Sequence, residues 1–285
     1  MSVSVFVPSH ITGFFNIRND GNPLVNGSCG AGFLLNKGVT TSIKKSSKDE
    51  TSIKINGKID RRNETIIHEV LRLLDIEDNF KINQSVEVPI GAGFGTSAAS
   101  ALGTAIGISN ILDLNHDMIK SGQIAHQAEI KLGSGLGDVI AELGKGIVLR
   151  TKPGAPGIGE ITCFNNETIY VACKTFGEIE TSDIIQDPHY KKVISDVGLN
   201  LTKKFIKNPS VDKFLEYSYK FSTDTNLMSK EVSNLIDYLN GMDNILGSSM
   251  AMLGNTVFSF AYNENAFENL EVDIYEIDNF GVKYD

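Results

Sequence analysis

The chain has 285 residues, enough for one large domain or two of ordinary size, and it carries a net charge of −9. Its 41% hydrophobic and 21% charged residues are typical of a soluble globular protein, and its acidic balance argues against binding to duplex nucleic acid. The sequence has no apolar run of 18 residues and no basic start followed by a long apolar core, so we expect no membrane span, no signal peptide and a cytoplasmic location.

The first 90 residues predict mostly strands. Alternating β-branched residues in "SVSVFVP" predict a strand over residues 2–8, and two or three strand-like runs follow within residues 30–57. Apolar residues at helical spacing then predict an amphipathic helix from about Glu64 to Leu74. Alternation predicts another strand over Ile82 to Pro89.

The middle of the chain alternates glycine-rich turns with helices. Three glycines at positions 91, 93 and 95 precede a helical pattern over residues 97–114, whose small residues suit close packing. A second helix is expected over residues 115–132, with Asn115 as its N-cap. A second glycine-rich turn, within residues 133–144, leads into a short helix and then the strand "GIVLR".

Two prolines and three glycines in "TKPGAPGIGEI" (residues 151–161) mark the best candidate for a domain boundary. We therefore expect an N-terminal domain over residues 1–155 and a C-terminal domain over residues 156–285. The second domain should contain a strand, helices from about Ser182 to Gly241, a segment of small residues and a final strand. Strands and helices without strict alternation predict two α+β domains rather than one doubly wound sheet.

The glycines ahead of the first of these helices predict a cradle for phosphate. Glycine permits positive φ angles and lets backbone amides approach a ligand, and a helix N-terminus favours an anion. The hydroxyls of Thr96, Ser97 and Ser100 are candidates for contacts to phosphate oxygens or to Mg²⁺. A glycine-rich turn that merely allows tight helix packing remains the alternative.

Two common nucleotide motifs fit this stretch poorly. A P-loop needs a lysine after its last glycine, and there is none here. The Rossmann fingerprint has its first two glycines in Gly91 and Gly93, but Thr96 occupies the place of the third. Asp113 lies at the usual offset of a ribose-binding acid, although it ends a helical pattern instead of a strand. A dinucleotide site stays open as an alternative.

The stretch "PIGAGFGTSAA" closely resembles the second motif of the GHMP kinases, the family of galacto-, homoserine, mevalonate and phosphomevalonate kinases. That motif reads Pro-x-x-x-Gly-Leu-Gly-Ser-Ser-Ala-Ala, and the chain differs from it only by phenylalanine for leucine and threonine for serine. The resemblance implies that ATP lies along this loop. The residues that it assigns to the nucleotide are Pro89, Gly91, Ala92, Gly93, Phe94, Gly95, Thr96, Ser97 and Ala98.

The rest of the chain resembles the same family over most of residues 1–185. "VFVPSHITGFFNI" stands where the first motif belongs, and with "GSCGAG" it resembles the pantoate-kinase subgroup found in archaea. The third motif is matched loosely by residues 247–258, with Ser248 and Gly254 as lining candidates and a plain core segment as the alternative. The resemblance implies an N-terminal domain like domain 2 of ribosomal protein S5 and a ferredoxin-like C-terminal domain.

The resemblance implies phosphate transfer from ATP to a small alcohol, with Mg²⁺. In the subgroup that alcohol is (R)-pantoate, on the archaeal route to coenzyme A. Asp138 closes the turn "GSGLGD" and is the base implied by mevalonate- and galactokinase-like members, with a helix N-cap as the alternative. Glu129 and Ser97 are the candidate metal ligands, because Mg²⁺ prefers oxygen ligands. A solvated acid is the alternative for Glu129.

Five residues are candidates for holding the substrate: His10, Ser28, His126, Arg150 and Thr181. Arg150 ends a strand after the catalytic segment and can bind a carboxylate through two donors, unless it is a surface arginine. His126 shares a helix face with Glu129, although a half-buried histidine with a backbone partner is the alternative. His10 lies in the first motif, Ser28 in a small turn, and Thr181 at a helix start where it could also serve as an N-cap.

Three rival functions remain at this point. The same fold could act on shikimate, homoserine or mevalonate. A non-catalytic nucleotide sensor would keep the glycine loop and lose the acids, and a nicotinamide-dependent dehydrogenase would use the loop for a dinucleotide. A homodimer is expected from its frequency among oligomers alone.

Overall fold

The computed structural model of the chain describes residues 2–164, 167–177 and 188–284. Within them the strands form one sheet of seven and one of four. The first sheet contains β1 (Ser2–Arg18), β2 (Gly27–Lys45), β3 (Ser52–Ile55), β4 (Phe80–Val86), β5 (Ile147–Lys152), β6 (Glu160–Phe164) and β11 (Lys283–Tyr284). The second contains β7 (Tyr170–Thr175), β8 (Gly247–Ala251), β9 (Thr256–Ala261) and β10 (Asp273–Glu276).

The helices of the first half are α1 (Thr65–Leu74), α2 (Thr96–Leu112), α3 (Met118–Leu132) and α4 (Asp138–Glu142). The second half has helices over Pro188–Lys207, Val211–Asp224 and Lys230–Asn240 and a 3₁₀ turn over Glu264–Phe267. None of the helices in the described ranges is both long enough and apolar enough to cross a membrane.

The antiparallel pair β1 and β2 is the backbone of the first sheet, whose order is β11-β1-β2-β4-β3, with β5 and β6 continuing from β2. The predicted strand at the N-terminus ends at residue 8, whereas β1 runs on to Arg18. The register of β1 shifts between Pro8 and His10 and again between Thr12 and Phe14. Such bulges accommodate a proline, bend the strand and redirect side chains, so the polar stretch "PSHIT" stays within the sheet.

Helix α2 lies tightly against the first sheet because glycines face it. A Cβ atom on Gly103 would lie 2.7 Å from the Oγ1 of Thr41, and one on Gly107 would lie 2.8 Å from the Cδ1 of Ile43. The prediction that small residues allow close packing of this helix is confirmed. This contact fixes the start of α2, and therefore the glycine loop before it, relative to β1 and β2.

The second sheet has the order β10-β7-β9-β8, and each neighbouring pair is antiparallel. This is the strand order of a ferredoxin-like domain, as expected. Aromatic rings join the two sheets: the ring of Phe33 in β2 lies 5.1 Å from that of Phe258 and 4.8 Å from that of Phe260, both in β9. The predicted division at residue 155 stays a prediction; β6, which follows it, pairs with β5.

The predicted N-cap of α3 is wrong, and one predicted strand is confirmed with different bounds. Helix α3 begins at Met118, and its N-cap is Asp117, whose side chain accepts a hydrogen bond from the amide of Lys120. Asn115 lies before the helix with a φ of +52°, so it forms part of the turn that precedes α3, and Asp117 caps the helix. The strand predicted over Ile82 to Pro89 is β4, two residues earlier at its start and three at its end.

Candidate active site

The glycine loop presents bare backbone at the start of α2. Gly91, Gly93 and Gly95 have φ angles of +71°, +86° and +64°, a region that other residues rarely adopt. No side chain caps the N-terminus of α2, whose first residue is Thr96. Since no described side chain occupies them, the backbone amides of the first turn of α2 are available to bind an anion.

A cavity lies in front of this loop, and seven of the nine residues predicted to bind nucleotide line it. They are Gly91, Gly93, Phe94, Gly95, Thr96, Ser97 and Ala98. Pro89 and Ala92 line neither this cavity nor its neighbour. Ala92 is buried, and its carbonyl oxygen accepts a hydrogen bond of 2.9 Å from the Oγ1 of Thr256, so it anchors the loop from behind.

The C-terminal glycine segment supports the loop instead of lining the cavity at the predicted positions. A Cβ atom on Gly254 would lie 2.0 Å from the carbonyl oxygen of Ala92, so only glycine fits there. Ser248 is buried and donates a hydrogen bond of 2.8 Å to the Oγ of Ser259. The cavity is lined by Met252 and Leu253 of this segment, which sequence reasoning missed.

Asp138 opens α4 and projects its carboxylate into the same cavity, with 26% of its side chain exposed. Its Oδ1 lies 2.7 Å from the Nδ1 of His10. Burial alone raises the pKa of Asp138, but the hydrogen bond with His10 and the charge of Arg150 more than offset it, so the pKa lies below its usual value. Asp138 is therefore an ionised carboxylate at neutral pH.

His10 is buried behind Asp138 and does not line the cavity, so the structure does not bring it to a substrate as predicted. The Nη1 of Arg150 lies 3.3 Å from its Nε2. Because a guanidinium only donates hydrogen bonds, Nε2 is the acceptor and Nδ1 carries the proton that is donated to Asp138. Burial lowers the pKa of His10 despite the contact with Asp138, which agrees with a neutral ring.

Arg150 is the largest of the fully buried side chains in the described residues, which excludes the surface alternative. Both of its Nη atoms lie 3.4 Å from the Oγ1 of Thr12, while its Nε has no hydrogen-bond partner there. A Cβ atom on Gly137 would lie 3.0 Å from that Nε and 2.4 Å from the Oγ of Ser28. Arg150, Ser28 and Thr12 therefore converge on one corner of the cavity.

Glu129 is also brought to the cavity, with its side chain buried, which excludes the solvated alternative. Its Oε1 accepts hydrogen bonds from the Oγ atoms of Ser97 at 2.5 Å and Ser134 at 2.6 Å. Burial raises the pKa of Glu129 to about 7, and the charge of Asp138 adds to this while the two hydroxyls oppose it. Ser134 was not among the predicted site residues.

The structure does not bring His126 to the cavity. Its Nε2 lies 2.9 Å from the carbonyl oxygen of Asn26 and 3.1 Å from that of Pro23, so the ring holds the segment before β2. His126 and Glu129 share a helix, but only Glu129 turns toward the loop. The structure therefore agrees with the alternative for His126, a histidine with backbone partners. The fifth candidate, Thr181, lies outside the described residues.

A second cavity also borders the glycine loop. It shares Gly91, Thr96, Ser97 and Ser134 with the first, so the two meet along the start of α2. The side chains that give it an apolar character are Ile55, Ile66, Val86, Ile90 and Leu132. Arg62, Asn63 and Thr65 add polar groups at the start of α1. Sequence reasoning missed this cavity because its residues are ordinary core and loop residues far apart in the chain.

The dinucleotide alternative does not fit this arrangement. Asp113 lies just after the C-terminal end of α2, whereas the loop lies at the N-terminal end. A helix of 17 residues is roughly 25 Å long, so this acid is remote from a phosphate at the loop. Asp113 instead has a φ of +53° and ends the helix.

Comparison with known proteins agrees with this geometry. The family described as GHMP kinases N terminal domain matches residues 64–146, which span the loop and α4. The pantoate kinase of Methanocaldococcus jannaschii is 33% identical over 271 residues, covering 94% of this chain and 96% of the relative. The chain belongs to the GHMP kinase family. A second relative of this GHMP kinase is the pantoate kinase of Thermococcus kodakarensis. It is also 33% identical, and the match covers 97% of this chain and 96% of the relative.

Solved structures confirm the expected α+β fold of this GHMP kinase. A phosphotransferase related to the coenzyme A biosynthesis pathway superposes with a TM-score of 0.86 at 31% identity, covering 100% of this chain and 99% of that chain. A homoserine kinase from Cytophaga hutchinsonii superposes with a TM-score of 0.69 at 17% identity, which shows the shared fold alone.

Proposed function

We propose that this GHMP kinase transfers the γ-phosphate of ATP to (R)-pantoate and forms (R)-4-phosphopantoate, a step of coenzyme A biosynthesis. One observation carries the proposal: a single cavity is lined by the glycine loop, the carboxylates of Asp138 and Glu129, and the buried guanidinium of Arg150. Both full-length relatives described above are pantoate kinases, which supports pantoate over other alcohols.

ATP would lie across the wall that the two cavities share. The amides of the glycine loop and of the start of α2 would bind its phosphates, because a helix N-terminus attracts anions. The apolar second cavity, with Ile66 and Ile90, would hold the base. With the base in the second cavity and the phosphates at the loop, the γ-phosphate would lie in the first cavity, near Asp138.

Pantoate would occupy the corner formed by Arg150, Ser28 and Thr12. The unpartnered Nε of Arg150 and the hydroxyl of Ser28 suit a carboxylate, which prefers charged and directional donors. Phe15, Leu136 and Met252 also line this cavity and offer apolar surface to a branched carbon chain. A bound carboxylate would pair directly with a guanidinium whose side-chain hydrogen-bond partners in the described residues, His10 and Thr12, are both neutral.

Asp138 would accept the proton of the alcohol as its oxygen attacks the γ-phosphorus. Its Oδ1 is occupied by His10, and a Cβ atom on Gly135 would lie 3.3 Å from its Oδ2. Gly135 lines the cavity, so Oδ2 is the oxygen on the substrate side. The bond from the γ-phosphorus to the β–γ bridging oxygen breaks, ADP leaves, and the proton stays on Asp138 until it is released to solvent.

Magnesium fits the oxygen atoms that surround Glu129. The carboxylate of Glu129 with the hydroxyls of Ser97 and Ser134 offers hard oxygen ligands beside the phosphate loop. No group of three acidic, histidine or cysteine side chains in the described residues would hold a metal by itself. The ion would therefore be shared with the phosphates, where it neutralises their charge.

Release of ADP with a panel of alcohols tests the proposal. Purified protein with ATP and Mg²⁺ is expected to release ADP with (R)-pantoate and not with shikimate, homoserine or mevalonate, and the product should carry phosphate on the C4 oxygen. ADP release with one of the other three alcohols alone would refute the substrate. No release with any alcohol would leave a nucleotide sensor as the better account.

A further inference from the structure

Glu142 is a buried acid that the proposed reaction does not use. It ends α4, one helical turn after Asp138, and its side chain is fully buried. It lines neither cavity. Neither of its carboxyl oxygens has a hydrogen-bond partner in the described part of the chain.

The carboxyl group of Glu142 lies at a point where three elements of the site meet. A Cβ atom on Gly95 would lie 2.8 Å from the Oε1 of Glu142, 3.1 Å from the carbonyl oxygen of His10 and 3.3 Å from the amide nitrogen of His10. Gly95 immediately precedes α2 and the phosphate-binding hydroxyl residues. His10 is hydrogen-bonded to Asp138, the proposed base, and Asp138 is the first residue of α4. Glu142 therefore packs between the nucleotide loop and the elements that place Asp138.

The surroundings of Glu142 favour its neutral form. The charged groups that act on it are Asp138, on its own helix, and Glu129, on α3, and both are acids. His10, the titratable residue on the β1 side, is neutral because Arg150 donates to its ring. An ionised carboxylate that is buried without a partner is strongly disfavoured. Burial, and after it the charges of the two acids, raises the pKa of Glu142 well above its usual value.

We propose that Glu142 is a positioning residue: as a neutral carboxyl group it sets the place of the glycine loop against the helix and strand that hold the base. The proposal rests on the proposed function only in that ATP binds at this loop. A neutral group behind the loop leaves the positive end of α2 available to the phosphates. An ionised group at the same point would repel them.

The test compares Glu142→Gln with Glu142→Ala. Glutamine keeps the size and neutrality of the side chain, so the dissociation constant of MgATP and the KM for ATP are expected within twofold of wild type. Alanine leaves the loop unsupported, and both quantities should rise about tenfold while the KM for pantoate stays unchanged. Glu271→Gln is the matched control, because its side chain is 98% exposed.

A pH series separates positioning from a general structural role. As the pH rises into the alkaline range, the KM for ATP of the wild type should increase relative to that of Glu142→Gln, since only the wild type can place a charge behind the loop. If Glu142→Ala does not fold, judged by thermal melting, Glu142→Val shortens the side chain while keeping part of its volume and should weaken MgATP binding in the same direction.

Two results would overturn the proposal. One is a Glu142→Gln variant that loses MgATP affinity as alanine does, because the charge would then be required. The other is a folded Glu142→Ala or Glu142→Val variant with wild-type affinity. Because MgATP binding is measured without any alcohol, a failure of pantoate phosphorylation alone would count against the proposed function and not against this role.

Discussion

The two cavities beside the glycine loop share a wall but differ in chemistry. The first is lined by charged groups: the buried side chains of Arg150 and Glu129 and the partly exposed side chain of Asp138. The second is lined largely by aliphatic side chains such as Ile66 and Ile90. Buried charged side chains are costly unless they are paired or take part in binding or catalysis. Their concentration in the first cavity therefore indicates that the phosphate transfer takes place there. The other side is suited to holding a ligand by shape and apolar contact.

The largest effect among substitutions that sharpen this contrast is expected at Arg150. Arg150→Met removes the cation from the first cavity and should lower kcat/KM for pantoate by about 10²–10³-fold, while the KM for ATP stays near wild type. Arg150→Lys keeps the charge but not the paired donors of the guanidinium, so its kcat/KM for pantoate should lie between those of wild type and Arg150→Met. The uncharged amide of pantoate should lose far less activity than pantoate in Arg150→Met. A folded variant with unchanged kcat/KM for pantoate would contradict the carboxylate role.

A smaller loss is expected at His10, in kcat alone. His10→Leu removes the donor to Asp138 and should lower kcat by roughly 10–100-fold, with both KM values little changed. His10→Asn places an amide N–H near the position of Nδ1 and should recover most of the loss. Steady-state kinetics of the two variants decides the matter. A raised KM for pantoate at unchanged kcat would restore the substrate contact that sequence reasoning assigned to His10.

The second cavity should respond in ATP affinity only. Ile90→Ala removes apolar surface worth about 1–2 kcal/mol, so the KM for ATP should rise roughly tenfold with kcat and the KM for pantoate unchanged. Ile59→Ala is the control, since that side chain is 71% exposed and lies outside both cavities. If Ile90→Ala instead changed the KM for pantoate, the assignment of base and substrate to the two cavities would have to be reversed.

The smallest expected effect is on stability, and it depends on pH. A carboxyl group whose pKa is raised by folding destabilises the protein progressively as the pH rises above the unfolded-state pKa. Glu142→Gln lacks this penalty, so its Tm should exceed that of the wild type by about 2–4 °C more at pH 8 than at pH 5. Thermal melts of both proteins and of Glu271→Gln across this range give the result. A Tm difference that does not change with pH would show that Glu142 is ionised.

Much of this site could be predicted from short sequence patterns. The glycine loop, the helix after it, and the acids Asp138 and Glu129 lie close together in the chain, and their backbone requirements are visible as glycines at fixed spacing. Arg150 could be predicted because it closes the strand-like run "GIVLR" soon after them, although β5 continues to Lys152. These predictions depend on local geometry, which a sequence states directly.

The remainder depends on contacts between distant segments. Sequence reasoning placed His10 against the substrate, but two bulges in β1 aim it at Asp138, 128 residues later. It placed His126 with Glu129 by helix spacing, yet the ring is held by carbonyl groups near Asn26. Nothing in the local sequence of Glu142 distinguishes it from a surface acid. Burial and partner choice arise from packing and not from spacing.

The most direct measurement is a single-turnover experiment on Asp138→Asn. The account predicts that this variant binds MgATP and pantoate with wild-type affinity and transfers phosphate about 10²–10⁴-fold more slowly, because binding and proton removal use different groups. Transfer at the wild-type rate by a variant that binds both ligands would contradict the claim that this carboxylate accepts the proton of the alcohol.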